Sequence, residues 1–139
     1  RNYWLATVTA TGNGPGRPHL RPVDGVWVAP PGDTGALCFG GSPEARWVRN
    51  LEACPDVSVS LPDDDHAVIL EGTVVQVTDP ELPISKALGP ANREKYPQYF
   101  EAGAPDAFLP FWCLRPHRVY AWSLTGFPNK ATRFDFGGR

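Results

Sequence analysis

A chain of 139 residues, 42% hydrophobic and 20% charged, has the size and make-up of one globular domain spanning residues 1–139 around one real core. Its 13 Lys and Arg against 15 Asp and Glu leave a net charge of -2, which excludes a broad basic footprint for nucleic acid and makes any anion site local. No run approaches the roughly 18 apolar residues of a membrane span, and RNYWLATVTATG at the start lacks the basic-then-apolar order of a leader, so no membrane partner is expected.

Tyr3 to Ala10, YWLATVTA, is β-rich and ends in TGNGPGRP, whose Gly, Asn and Pro are turn chemistry. HLRPVDGVWV (19–28) reads as the returning strand, with Pro22 and Gly25 marking an edge, a bulge or a close backbone approach. GALCFGG (35–41) is a third strand. A helix should follow, with Ser42 at its N-cap, Pro43 at the first helical position and Glu44 where the dipole favours an acid, ending near Cys54 before Pro55. DVSVSL (56–61) and HAVILEGTVVQVTD (66–79) form a hairpin around PDDD, in which Asp63 to Asp65 read as a solvated turn. From PELPISKALG to REKYPQYFEAG the pattern turns weakly helical, as short helices broken by Pro90 and Pro97. FWCLRPHRVYAWSL returns to strand, and KATRFDFGG adds a last short one. The order β-β-β-α-β-β-α-α-β-β predicts a mainly β, α+β fold, an antiparallel and nearly closed barrel with helices packed outside.

Three cysteines, Cys38, Cys54 and Cys113, are odd in number, lack CxxC spacing and lie in apolar contexts. That pattern favours buried free thiols in a reducing cytoplasm over a disulfide framework or a metal site. Glu71, inside an apolar strand, should pair with an Arg across the sheet or point into the barrel mouth, the pairing being preferred. Trp4, Trp27 and Trp112 are assigned to core or subunit packing. FLPFWCL (108–114) is apolar on both faces, which predicts a second subunit against it, and 5 Trp, 4 Tyr and 7 Phe exceed what a small barrel can enclose.

CFGGSPEARWVRNL (38–51) carries the clearest chemical signal: Gly40, Gly41 and Ser42 offer a turn of backbone N–H groups, and Arg46 and Arg49 stand three apart on one helix face. Arginine's planar fork matches phosphate oxygens two at a time. Read from the residues alone, the same two arginines also describe a solvated helix face. In PHLRPV, period two puts His19, Arg21 and Val23 on one side of a strand, and Leu20 and Pro22 on the other. No Ser-His-Asp or Cys-His set accompanies His19.

YWLATV, GRPHLRPV with GVWV, LCFGGSPEARWVRNLEACPDVSVSL, VILEGTVVQVTD, VYAW and TRFDF, in this order from Tyr3 to Phe136, resemble the pyridoxamine 5′-phosphate oxidase-like family of flavin and deazaflavin proteins. The resemblance implies a six-stranded split barrel, a homodimer with cofactor sites at the subunit interface, and bound FMN, with F420 as the alternative. It implies cofactor contacts from His19, Arg21, Pro22 and Val23, from Phe39, Gly40, Gly41 and Ser42, and from Arg46, Arg49 and Asn50, closed by the partner's Trp122 and Arg133. Where the family often has a lysine in the helix, this chain has Trp47, with Arg46 beside it. The activity implied is hydride transfer to or from a small organic substrate, the cofactor carrying the chemistry. An F420-dependent reductase and a non-catalytic flavin- or haem-binding module are the alternatives. Arg17, Lys130 and Arg133 are the cations available for the anionic tail of F420, and the stretch from Asn92 to Asp106, which should shape the substrate pocket, holds no decodable motif.

Overall fold

The computed structural model describes residues 2–9, 12, 14–61, 63–101 and 109–137. In chain order these form β1 (Tyr3–Thr9), β2 (Arg17–Val23), β3 (Gly25–Val28), β4 (Ala36–Phe39), α1 (Arg46–Ala53), β5 (Asp56–Leu61), β6 (His66–Val77), α2 (Pro83–Lys95), β7 (Phe111–Ser123) and β8 (Thr132–Asp135). All pairings are antiparallel, in the order β2-β1-β5-β6-β7-β4-β3, with β8 beside β7. The sheet curls into a half-barrel, the mainly β split-barrel architecture expected. Phe108 and the part of the predicted substrate loop from residue 102 to Asp106 lie outside the described residues.

Among the described residues the strands number eight rather than six. HLRPVDGVWV divides at Asp24: Val23 pairs with Tyr3 in β1, and Gly25 pairs with Phe39 in β4, at the other end of the sheet. The break is held from the residue just after α2, since the Tyr96 hydroxyl accepts from the Gly25 N–H at 3.0 Å and donates to the Gly25 carbonyl at 2.9 Å.

Alternation along the strands builds two cores, one on each face. Leu37 and Phe39 of β4 and Trp112 and Leu114 of β7 join Leu5, Val59, Leu70 and Val74 inside the curl, with Trp47, Val48 and Leu51 of α1 packed into them. The intervening Cys38, Phe111 and Cys113 pack with Val26 and Val28 beneath Ile84, Leu88 and Tyr96. The second apolar face of FLPFWCL is therefore covered by α2 of the same chain, not by another subunit. Cys38 and Cys113 are buried free thiols facing each other across β4 and β7, and Cys54 is a half-buried one.

Three local expectations are corrected. Helix α1 begins at Arg46 with Ala45 at its cap and no side-chain capping bond. Ser42 instead accepts from the Glu44 N–H and donates to the Glu44 carboxylate, while its carbonyl accepts from the Ala45 N–H at 2.9 Å, so SPEA is a turn ahead of the helix. Pro90 lies inside α2 without breaking it and stands on the exposed side of the helix. Arg118 does sit opposite Glu71 in the β6–β7 register, but it pairs with Asp135, its Nε donating at 2.8 Å, and among the described residues the preferred Glu71 ion pair is not formed.

Candidate anion site

The register of β1 on β2 sets the site. Thr7 stands opposite His19, Leu5 opposite Arg21 and Thr9 opposite Arg17, so Arg17, His19 and Arg21 form a row on the face that α1 covers. Helix α1 turns its apolar side, Trp47, Val48 and Leu51, into the core, which leaves Arg46 and Arg49 exposed. The Arg46 guanidinium reaches back to β1 and donates to Thr9 Oγ1 at 3.3 Å. Arginines from two elements thus converge on His19.

Beneath them lies a polar node inside the barrel. Thr7 and Asn50 are only 2% and 4% exposed, and Asn50 Nδ2 donates to Thr7 Oγ1 at 2.8 Å. His19 Nδ1 faces both groups, 3.5 Å from Asn50 Nδ2 and 3.4 Å from Thr7 Oγ1. Nδ1 accepts from the Asn50 amide in the tautomer that carries its ring proton on Nε2, and donates to Thr7 Oγ1 in the other. Burial first, then the charges of Arg46 and Arg21, hold the His19 pKa below its ordinary 6.5. Among the described residues, no carboxylate forms an ion pair with Arg17, Arg21, Arg46 or Arg49. Glu52 lies one turn beyond Arg49 and Glu44 is engaged by Ser42. The result is a local excess of positive charge, on a chain that is acidic overall, around a histidine kept neutral.

The other sequence-predicted residues distribute as follows. Gly40, Gly41 and Ser42 are exposed in the β4–α1 loop. Gly41 is required by close packing, since a Cβ there would lie 2.7 Å from the Trp47 ring. Val23 and Phe39 face inward and are core residues, Phe39 with its ring 5.5 Å from that of Trp47. Pro22 faces outward, opposite Trp4. Asn50, expected at the cofactor, has its amide committed to Thr7 and His19. In the sequence Thr7 is one hydroxyl in a β-rich stretch, and only the register with His19 brings it out. Trp122, half-buried, packs near Phe127 with ring centroids 6.0 Å apart, and Arg133 Nε donates to Asp135 at 2.8 Å. Four strands stand between β2 and β8 along the sheet, so one chain does not join this pair, or Lys130, to the arginine row through any described contact.

Among the described residues, no three His, Cys, Asp or Glu side chains gather as a metal-binding group, and no helix is long and apolar enough to cross a membrane.

No curated protein matches the sequence. Solved structures that resemble it share the fold at low identity. An FMN-binding, pyridoxamine 5′-phosphate oxidase-related protein of Nostoc punctiforme superposes with a TM-score of 0.61 at 16% identity, over 99% of this chain and 88% of that one. A heme-binding protein of Mycobacterium smegmatis gives 0.61 at 23%, over 96% and 52%. A protein of unknown function from Agrobacterium tumefaciens gives 0.62 at 20%, over 87% of this chain and 50% of that one, so this chain spans about half the length of the latter two. The family model described as pyridoxamine 5′-phosphate oxidase matches residues 2–123, nearly the whole of the sheet and both helices, and the chain belongs to that family.

Proposed function

We propose that this protein binds FMN and works as a flavin-dependent oxidoreductase on a small organic substrate, its sites shared between two copies of the chain. The observation that carries the reading is the cluster of Arg21 and Arg46 around His19, with no carboxylate ion-paired to either arginine among the described residues. These residues fit a phosphate group: two forks approach from β2 and α1, and the imidazole of His19 lies on the same face. The lysine of the resembled pattern is not needed for this, because Arg46 supplies the cation while Trp47 fills the core. Flavin, when bound, supplies hydride transfer at its ring. The residues of this chain anchor its phosphate, and the aromatic Trp122 of a second copy is suited to shield the ring from water. Free cysteines suit a reducing compartment such as the cytoplasm.

A second reading, an F420H2-dependent reductase, is favoured by one feature: Arg17 continues the Arg21–His19 row on the same face, where it extends the cation track beyond a phosphate. Titration of the apo-protein with FMN, FAD, F420 and haem, followed by fluorescence and absorbance, tests both. The expected result is saturable FMN binding tighter than that of FAD. Preferential F420 binding would move the assignment to the second reading, and a Soret band with no flavin binding would reject both.

A further inference from the structure

Cys38 of β4 and Cys113 of β7 occupy one rung of the antiparallel ladder, between the pairs Leu37 with Leu114 and Phe39 with Trp112. Their sulfur atoms stand 2.8 Å apart, in side chains that are 1% and 3% exposed. Residues directly opposed on antiparallel strands have Cα atoms about 4.5–5.5 Å apart, inside the roughly 4.4–6.8 Å that a disulfide spans. No strand has to slide for the two sulfurs to bond. The pair packs in the outer core with Val26, Val28, Phe111, Ile84 and Leu88, and among the described residues no third His, Cys, Asp or Glu gathers with it as a metal-binding group. Oxidation to one disulfide is the chemistry that two adjoining thiols carry without a further ligand. A route for a small oxidant is present as well, since Cys38 lines a cavity of about 420 Å³ whose rim reaches the exposed Gly40, Gly41 and Tyr99. That volume is many times the roughly 30 Å³ taken by one water, and it admits a molecule the size of hydrogen peroxide.

We propose that Cys38 and Cys113 are an oxidative modification site, closing to an intrachain disulfide when a peroxide enters that cavity. Cys38 loses its proton to water and its sulfur attacks one peroxide oxygen. The O–O bond breaks, the other oxygen departs as hydroxide and takes up that proton, and a sulfenic acid remains on Cys38. The Cys113 sulfur then attacks that of Cys38, the S–O bond breaks, and the hydroxide leaves as water with the Cys113 proton. Two thiols and one peroxide thus become one disulfide and two waters, the sulfurs giving up two electrons and the peroxide gaining them. The first step is slow, because the adjoining Cys113 thiol first, and then burial, push the Cys38 thiol above its ordinary pKa and keep the nucleophilic thiolate scarce. The second is fast, since the resolving thiol is already in contact. None of this depends on the flavin reading.

Cys54, half-buried just beyond α1, is removed by Cys54→Ala, which leaves two thiols in a chain that has no methionine to take up oxygen. The reduced variant is treated with hydrogen peroxide, then unfolded, alkylated with iodoacetamide and read by intact and peptide mass spectrometry. The expected product has lost two hydrogens, takes no alkylation, and yields a linked peptide joining Cys38 to Cys113, with both alkylations restored by dithiothreitol. The unaltered protein should form the same link. Because the tie joins residues 75 apart, the oxidised form should also unfold at higher urea. Cys113→Ser should abolish the loss of two hydrogens, and if that variant fails to fold, the linked peptide from the unaltered protein still decides. Both thiols still alkylated after peroxide, oxygen added to Cys38 in place of a link, a disulfide through Cys54 in the unaltered protein, or a lower urea midpoint on oxidation would overturn the proposal.

Discussion

Thr7 sits inside the barrel with its hydroxyl accepting from Asn50, and that bond is what makes two buried polar side chains tolerable. Thr7→Val keeps the shape but strands the Asn50 amide, so unfolding should become easier by about 1–3 kcal/mol in a urea titration. The same node orients His19, whose imidazole is the most direct reporter of the site. Its NMR titration should have a midpoint below 6.5 and move upward when Arg46 is replaced by Ala, since one of the charges opposing protonation is gone. A phosphate bound among Arg21 and Arg46 should also raise it, by offsetting their charge. A midpoint indifferent to phosphate would place the anion elsewhere. Arg46→Ala and Arg21→Ala should each weaken FMN by about ten- to a hundred-fold, the loss of one charge-assisted contact, in a fluorescence titration. The arginines and the alternation of His19 with Arg21 were legible in the sequence because charge and period two are local properties. The commitment of Asn50 to Thr7 was not, because it depends on which residue of β1 faces which residue of β2.

Among elements, the long hairpin of β6 and β7 shows how one residue shapes a strand pair. Gly72 lies opposite Pro116, at a register shift after Glu71, and a Cβ on it would come within 2.2 Å of the Arg115 carbonyl oxygen. Proline lacks the N–H for a regular ladder, so the irregularity accommodates it and the glycine lets the backbones close. The β3–β4 loop is tied to the same strand by Arg115, whose two terminal nitrogens donate to Asp33 at 2.7 and 2.8 Å. That bidentate bond first, then the Gly35 N–H, holds the Asp33 carboxyl at about 2 instead of 3.8. Because the folded value is the lower one, the pair stabilises the fold above the unfolded pKa, and this contribution is lost as pH falls from about 4 towards 2. Arg115 is half-exposed, so solvent screening limits the effect to roughly 1 kcal/mol, and Asp33→Asn should lose that much near neutrality while flattening the acid limb of a stability profile. Strand identities along the chain were readable from β-branched alternation and turn residues. The start of α1 was not, since Ser-Pro-Glu satisfies the sequence rule for a capped helix and here spends its hydrogen bonds on a separate turn. The division at Asp24 escaped for a different reason: it is held by Tyr96, the residue just after α2, which grips Gly25 from 71 residues away.

For the whole molecule, the aromatic surplus has two destinations. Trp47 and Trp112 meet edge to face in the core at 4.8 Å, whereas Trp4 is 43% exposed and shares the outward face of β1 and β2 with Val8, Pro22 and Leu20, the last 60% exposed. A contiguous apolar face of this kind is suited to a second copy of the chain, and it replaces FLPFWCL as the ground for expecting a homodimer. If Trp122 and Arg133 complete the partner's site, mixing an Arg46→Ala chain with an Arg133→Ala chain should restore FMN binding at one of the two sites of each heterodimer. Full-affinity binding by a monomer would exclude shared sites. The sequence located the barrel because succession of strands is written along the chain, but it could not tell whether an apolar strand face meets a helix of its own chain or a neighbour. Whether the arginine cluster is a phosphate anchor is tested most directly by titrating the unaltered protein with FMN and with riboflavin, which share the ring system and differ in the phosphate. Two charged anchors predict FMN tighter by about a hundred-fold or more, a gap that narrows with added inorganic phosphate; equal affinity for the two would contradict the account.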